Sequence, residues 1–260
     1  MSSLVSFALR VAAIRAIRGA TLAGDRVHDS AISPIDHMVE KGESEPFIVI
    51  ATEDEEAVNL AGRDATSGAR TVDLVIEVAI AHSLLAPGDN SETPPEIVIP
   101  ATDGGFELSL ALIGRQIMRA LFEPGTNPWA CAFARFAVSI GKISNRRGVG
   151  NKAGARFAAR QYVITLNVLQ EPSFGMTPAA GDAWHAFLAV MRNDPELAHI
   201  EPVVAAVITG EPEIADWDRA RADCALTPEA AWGIGIGGVI DGEAPPLAIT
   251  ADIELRAGND

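Results

Sequence analysis

Residues 145–170 decide the fold, and they read NRRGVGNKAGARFAARQYVITLNVLQ. The first part, residues 145–155, is rich in glycine and basic residues. This composition predicts a flexible loop, because glycine adopts backbone angles that other residues resist. Apolar and polar residues then alternate from Phe157 to Leu169, as they do in a strand that buries one face. The side chains predicted to share the buried face are Tyr162, Ile164, Leu166 and Val168.

The basic residues of this region contrast with an acidic chain. Residues 141–160 contain six basic residues and no acid, although the whole chain has a formal net charge of -15. The six are Lys142, Arg146, Arg147, Lys152, Arg156 and Arg160. Acids are concentrated in residues 25–60, with ten against two basic residues, and in residues 171–260, with sixteen against four. A positive patch in such a chain indicates a binding partner.

The first two thirds of the chain show the pattern of an α+β fold. Predicted helices cover residues 4–20, 106–122 and 129–140, and predicted strands cover residues 47–52, 71–81 and 157–169. The acidic cluster Glu53–Glu56 follows the first of these strands directly. Helices and strands in this order are typical of a largely antiparallel sheet that is flanked by helices.

The composition changes after Pro172 and becomes strongly acidic. In this last third, helices are predicted at residues 180–192 and 214–222, and strands at residues 203–209 and 247–255. We interpret it as an appended acidic α+β lobe. The predicted division is therefore an α+β domain at residues 1–172 and a C-terminal lobe at residues 173–260.

The sequence contains no motif that indicates catalysis. Gly233, Gly235 and Gly238 match the GxGxxG pattern of dinucleotide sites, but no helix is predicted after them to face a phosphate group. The histidines lack the HExxH spacing of a zinc site, and Cys131 and Cys224 form no metal-binding pattern. No G-x-S-x-G sequence is present. We therefore expect a protein that is not an enzyme and that holds no cofactor and no metal.

Charge and hydropathy also restrict the classes of partner. A pI of about 4.7 argues against a general nucleic-acid or anionic-membrane binder, since contacts to phosphates need local positive charge. No uninterrupted apolar run approaches the roughly 20 residues of a membrane span. We therefore expect no contact with a membrane.

Three interpretations of the basic segment remain open. It forms an ordinary solvated hairpin, it contacts nucleic acid, or it docks against acidic surface on another copy of the chain. Residues 25–60 supply the complementary charge for the third interpretation, above all in Glu53, Asp54, Glu55 and Glu56. Opposite patches on different faces of one protomer make a head-to-tail contact, which closes into a ring when the rotation permits.

Several segments in a fixed order carry a resemblance to a known family. They are ATLAGDRV at residues 20–27, FIVIATED at 47–54, NPW at 127–129, ISNRRG at 143–148, GARFAARQY at 154–162 and EP at 171–172. In these segments the chain resembles the tail terminator, or tail completion, proteins of long-tailed bacteriophages. The resemblance covers residues 1–172, and residues 173–260 depart from it because such terminators are commonly shorter.

The resemblance implies a structural virion protein at the head–tail junction, assembled in the host cytoplasm. Such a subunit forms a hexameric ring that caps the tail tube, ends its polymerisation and joins the tail to the head connector, and DNA passes through the lumen. The basic residues Arg146, Arg147, Lys152, Arg156 and Arg160 would then lie at contacts with other subunits or with the tube protein. The alternatives are another neck or connector protein, or a nucleic-acid-binding module that uses residues 146–160.

Overall fold

A computed structural model of the protein describes residues 3–30, 46–83, 103–152 and 155–210. The helices in these ranges are α1 (Leu4–Ile17), α2 (Asp103–Phe122), α3 (Pro128–Phe136), α4 (Ala183–Arg192) and α5 (Glu201–Thr209). The strands are β1 (Val27–Asp29), β2 (Phe47–Val58), β3 (Ala69–Ser83), β4 (Ala137–Lys152) and β5 (Ala155–Val168). The predicted α+β class is confirmed.

The strands form one sheet in the order β1-β2-β3-β5-β4. β1 lies parallel to β2, whereas β2–β3, β3–β5 and β4–β5 are antiparallel pairs, which confirms the prediction of a largely antiparallel sheet. The central pair joins β3 to β5 in an unbroken register from Arg70 opposite Val168 to Ser83 opposite Ala155. β4 therefore lies at one edge of the sheet, and the short β1 lies at the other.

The helices cover one face of the sheet and form the main core with it. The predicted inward face of β5 is confirmed, because its four apolar side chains are buried and belong to this core. The apolar stripe of α2 packs on the same face through buried side chains, namely Phe106, Leu110, Ile113, Ile117 and Leu121. The opposite face of the sheet carries polar pairs across strands, such as the hydrogen bond of 2.6 Å from Thr165 Oγ1 to Asp73.

Aromatic rings join α4 to the core built by the first two thirds of the chain. Phe187 makes edge-to-face contacts with rings on α1 and α3, at centroid distances of 6.3 Å to Phe7 and 5.6 Å to Phe136. Trp184 lies 4.8 Å from Phe136. Residues 183–210 thus share the main core, while residues 211–260 lie outside the described ranges. A separate C-terminal lobe stays a prediction.

Four predictions of local structure were wrong. Glu53–Glu56 lie inside β2 and not after a strand. In the glycine-rich segment at residues 145–155, the described residues are not a loop, because β4 continues to Lys152 and pairs with β5. Glycine permits extended backbone as well as turns, and the long partner strand decides between them. The predicted helix at residues 129–140 ends at Phe136, where β4 follows. Residues 203–209 are helical, not a strand, and Pro202 occupies the first turn, where proline is favoured.

Gly114 on α2 provides a test of the packing between this helix and β5. A Cβ atom at Gly114 would overlap the hydroxyl group of Tyr162, whereas one at Gly104 would meet no atom within 4 Å. We expect Gly114→Ala to lower the free energy of unfolding by up to about 2 kcal/mol, because the overpacking cost of about 1–3 kcal/mol outweighs the gain of about 1 kcal/mol in helix propensity. Gly104→Ala is the control and should cause no loss. Urea denaturation of both variants measures the difference, and equal stabilities would contradict the close contact.

Candidate interaction surface

The outer edge of β4 is the first part of the candidate surface. Within the described residues β4 pairs only with β5, so its other side presents unpaired backbone N–H and C=O groups. A long open edge of this kind is a template for pairing with a strand of another chain, and natural proteins usually protect it. Bulges at Val138 and Gly141 interrupt the register near the start of the strand.

Exposed apolar side chains line the same strand. Val138, Ile140 and Ile143 expose 62%, 45% and 48% of their surface. Three large exposed apolar side chains within six residues of one strand favour a binding surface over a solvated one.

The basic side chains of the hairpin divide into two groups. Arg147 and Arg160 lie opposite each other on β4 and β5, and both contact Glu107 on α2. The distances are 2.6 Å from Arg147 Nε to Oε1 and 2.8 Å from Arg160 Nη2 to Oε2. The negative charge of Glu107 offsets the repulsion between these two arginines, which face each other across the strands. It also attaches the hairpin to α2.

Lys142 and Arg146 are not tied in this way. Both are exposed, and Arg146 makes no ion pair within the described part of the chain. Lys152 and Arg156 lie in the backbone register of the hairpin, where Asn151 is opposite Arg156. Their side chains are outside the described set. Among the described basic side chains of this segment, Lys142 and Arg146 are therefore open to a partner.

The acidic cluster lies within β2, not after the strand as predicted. A bulge between Thr52 and Glu55 interrupts the register with β3. Glu53, Asp54 and Glu56 are exposed, as are the apolar Val58 and Leu60 that follow them. β1 covers β2 only from Ile48 to Ile50. Among the described residues, no strand covers the outer edge of residues 51–58.

Glu55 has an internal role that separates it from its neighbours in the cluster. Its carboxylate accepts hydrogen bonds from Ser3 N at 3.2 Å and Ser6 Oγ at 2.7 Å, and it lies 3.0 Å from Arg70 Nη1. Burial opposes ionisation of Glu55, but the hydrogen bonds from Ser3 and Ser6 and the charge of Arg70 hold its pKa below the ordinary value. Glu171 accepts hydrogen bonds from the next two amides of α1. Two carboxylates thus cap the positive end of this helix.

Sequence reasoning found the charged part of the surface but missed its apolar part. Val138 and Ile140 fell within the predicted helix at residues 129–140, and they are exposed on β4 instead. The exposure of Ile143 was not predicted. Alternation through the segment VSIGKIS was the available signal, but the two bulges break its period of two.

The described residues form neither a cluster of three or more His, Cys, Asp or Glu side chains that could hold a metal ion nor a helix long and apolar enough to span a membrane. The GxGxxG match at residues 233–238 lies outside the described residues. The chain matches no protein-family model and no curated protein.

Proposed function

We propose that the protein is a non-enzymatic virion subunit that assembles into a ring, caps the phage tail tube and joins it to the head connector. One observation carries the proposal. Among the described residues, an apolar and basic strand is open at one edge of the sheet, and an acidic strand segment is open near the other edge. Both are surfaces that a solvated monomer does not need.

The position of the two surfaces supports a ring. They lie at opposite edges of one sheet. A contact between them therefore joins two different surfaces of neighbouring protomers, head to tail. Contacts of this type close into rings or continue as filaments. Charge complementarity at such a contact sets the register and the choice of partner. An acidic protein also suits a channel wall, because it does not retain the phosphates of passing DNA.

The resemblance over residues 1–172 supplies the rest of the proposal. It suggests a hexamer, with the tail tube protein and the head–tail connector as partners, at the head–tail junction of the virion. The second candidate is another connector protein of the same junction. The hairpin also bears on the nucleic-acid-binding alternative. Glu107 neutralises part of the charge of Arg147 and Arg160, which leaves fewer cations for phosphates.

Three measurements test the proposal. Light scattering of the purified protein at high concentration should give a mass several times that of the 27.3 kDa chain. Added to polymerising tail tubes, the protein should bind one end and stop growth, and virions that lack it should have overlong tails. Tails of normal length without heads would instead indicate a connector. A protein that stays monomeric and does not bind tubes would contradict both candidates.

A further inference from the structure

We infer that the two open edges bind each other between copies of the chain. β4 of one protomer adds in antiparallel orientation to residues 51–58 of β2 in the next, so that one sheet continues through the assembly. Strand addition of this kind draws its affinity from main-chain hydrogen bonds and its specificity from side chains. The inference depends on the proposed function only in taking the protein to self-associate. It adds which two edges form the contact between copies.

The strand directions within the sheet favour the antiparallel orientation. β2 runs antiparallel to β3, β3 to β5, and β5 to β4. β4 therefore runs opposite to β2. When two protomers lie side by side with their helices on the same face of the sheet, β4 of one meets β2 of the other as an antiparallel neighbour. The side chains of the added strand then alternate between the two faces as in the rest of the sheet.

The order of exposed side chains along β4 is apolar first and basic afterwards. Apart from the exposed polar residues Ser139 and Asn145, the exposed side chains in chain order are Val138, Ile140, Lys142, Ile143, Arg146 and Arg147. The end that carries most of the apolar side chains is next to α3, and the basic end is next to the tip of the hairpin. A partner strand in antiparallel orientation must therefore begin acidic and end apolar.

β2 and the residues after it have this order. In chain order the exposed charged and large apolar side chains are Glu53, Asp54, Glu56, Val58 and Leu60, with the exposed polar Asn59 between the last two. Antiparallel pairing places apolar side chains opposite apolar ones and acids opposite basic residues, and opposite charges across strands stabilise a sheet. Parallel pairing would place the acids against Val138 and Ile140. The bulge between Thr52 and Glu55 adds to the acidic charge of this edge, because the two residues within it, Glu53 and Asp54, are both exposed.

A charge exchange between the two edges tests this contact. One variant carries Lys142→Glu and Arg146→Glu, and the other carries Asp54→Lys and Glu56→Lys. Each variant alone should bind its own copies at least about 100-fold more weakly than the wild type, because like charges then face each other. An equimolar mixture should recover the wild-type mass in light scattering. In the mixture each reversed β4 meets a reversed β2, and each native β4 meets a native β2.

The matched control is Arg115→Glu with Arg119→Glu. Both arginines are exposed on α2, and the pair changes the net charge by the same amount as the β4 variant. The control should assemble like the wild type. Equal weakening in the control would show an effect of net charge alone and would overturn the inference.

Hydrogen exchange separates strand addition from other modes of docking. Amides of residues 137–147 and 51–58 should exchange more slowly in the assembled protein than in dilute monomer, since pairing protects them. If the wild type assembles without this protection, or if the mixture does not recover the mass, the inference is wrong and the proposed ring still stands. If β4 is protected only when tail tubes are added, the tube protein is the occupant, and the inference is again wrong. A wild type that remains monomeric under all conditions overturns the inference together with the proposed ring.

Discussion

Phe187→Ala is expected to lower the free energy of unfolding by about 3–5 kcal/mol, the usual cost of emptying a fully buried phenylalanine site. The ring is fully buried among four other aromatic rings, which are those of Phe7, Trp129, Phe136 and Trp184. Its neighbours belong to α1, α3 and α4, so the cavity would lie at the junction of three helices. Urea denaturation followed by tryptophan fluorescence measures the change, because Trp129 and Trp184 line the same site.

A surface phenylalanine in the same part of the chain provides the control. Phe174 exposes 85% of its surface, and Phe174→Ala should change stability by less than about 0.5 kcal/mol. A cost below about 1 kcal/mol for Phe187→Ala would show that α4 does not complete the main core.

Arg70→Met is expected to destabilise the protein by about 3 kcal/mol at neutral pH, because it leaves the carboxylate of Glu55 buried without its cation. The two side chains expose only 9% and 10% of their surface. Arg70 also donates a hydrogen bond to the carbonyl group of Ala65. The double variant Arg70→Met with Glu55→Gln should cost less than the sum of the two single changes, since removing both charges leaves neither one unpaired.

The pH dependence has a definite sign. The pKa of Glu55 is lowered in the folded protein, so its ionised form stabilises the fold above the ordinary glutamate pKa. This contribution is lost as the pH falls through the lowered pKa. The cost of Arg70→Met should therefore shrink from neutral pH into the acid range, where protonation removes the unpaired charge. Urea denaturation across this range measures the change. A cost that is constant over the range would mean that Glu55 and Arg70 do not interact.

The predictability of the fold depended on how long each pattern runs. β5 and α2 were predicted correctly because each carries at least four apolar residues at the spacing of its element, and all of them are buried. The run at residues 203–209 was too short for its periodicity to separate helix from strand. β4 was missed because its glycines match a loop composition. Its strand conformation comes from pairing with β5, which is a tertiary effect that no local pattern contains.

The candidate surface was predictable in its charge and unpredictable in its geometry. Composition alone identified the basic segment and the acidic cluster as exceptional. It did not reveal that Glu55 points inward to the end of α1, or that Glu107 holds Arg147 and Arg160. These contacts join residues that are far apart in the chain. Such contacts depend on which elements become neighbours and in what register the strands pair, and the sequence predicted neither.

The position of β3 in the sheet has a consequence for biosynthesis. β3 pairs with β5, whose residues leave the ribosome only after α2, α3 and β4 have been made. Until then the nascent chain holds the β2–β3 hairpin with one side of an apolar strand unpaired. Pairing of strands so distant in sequence is slow, and unpaired strand edges favour aggregation during that interval. Expression at a lower temperature, at which hydrophobic association is weaker, should therefore raise the yield of folded protein.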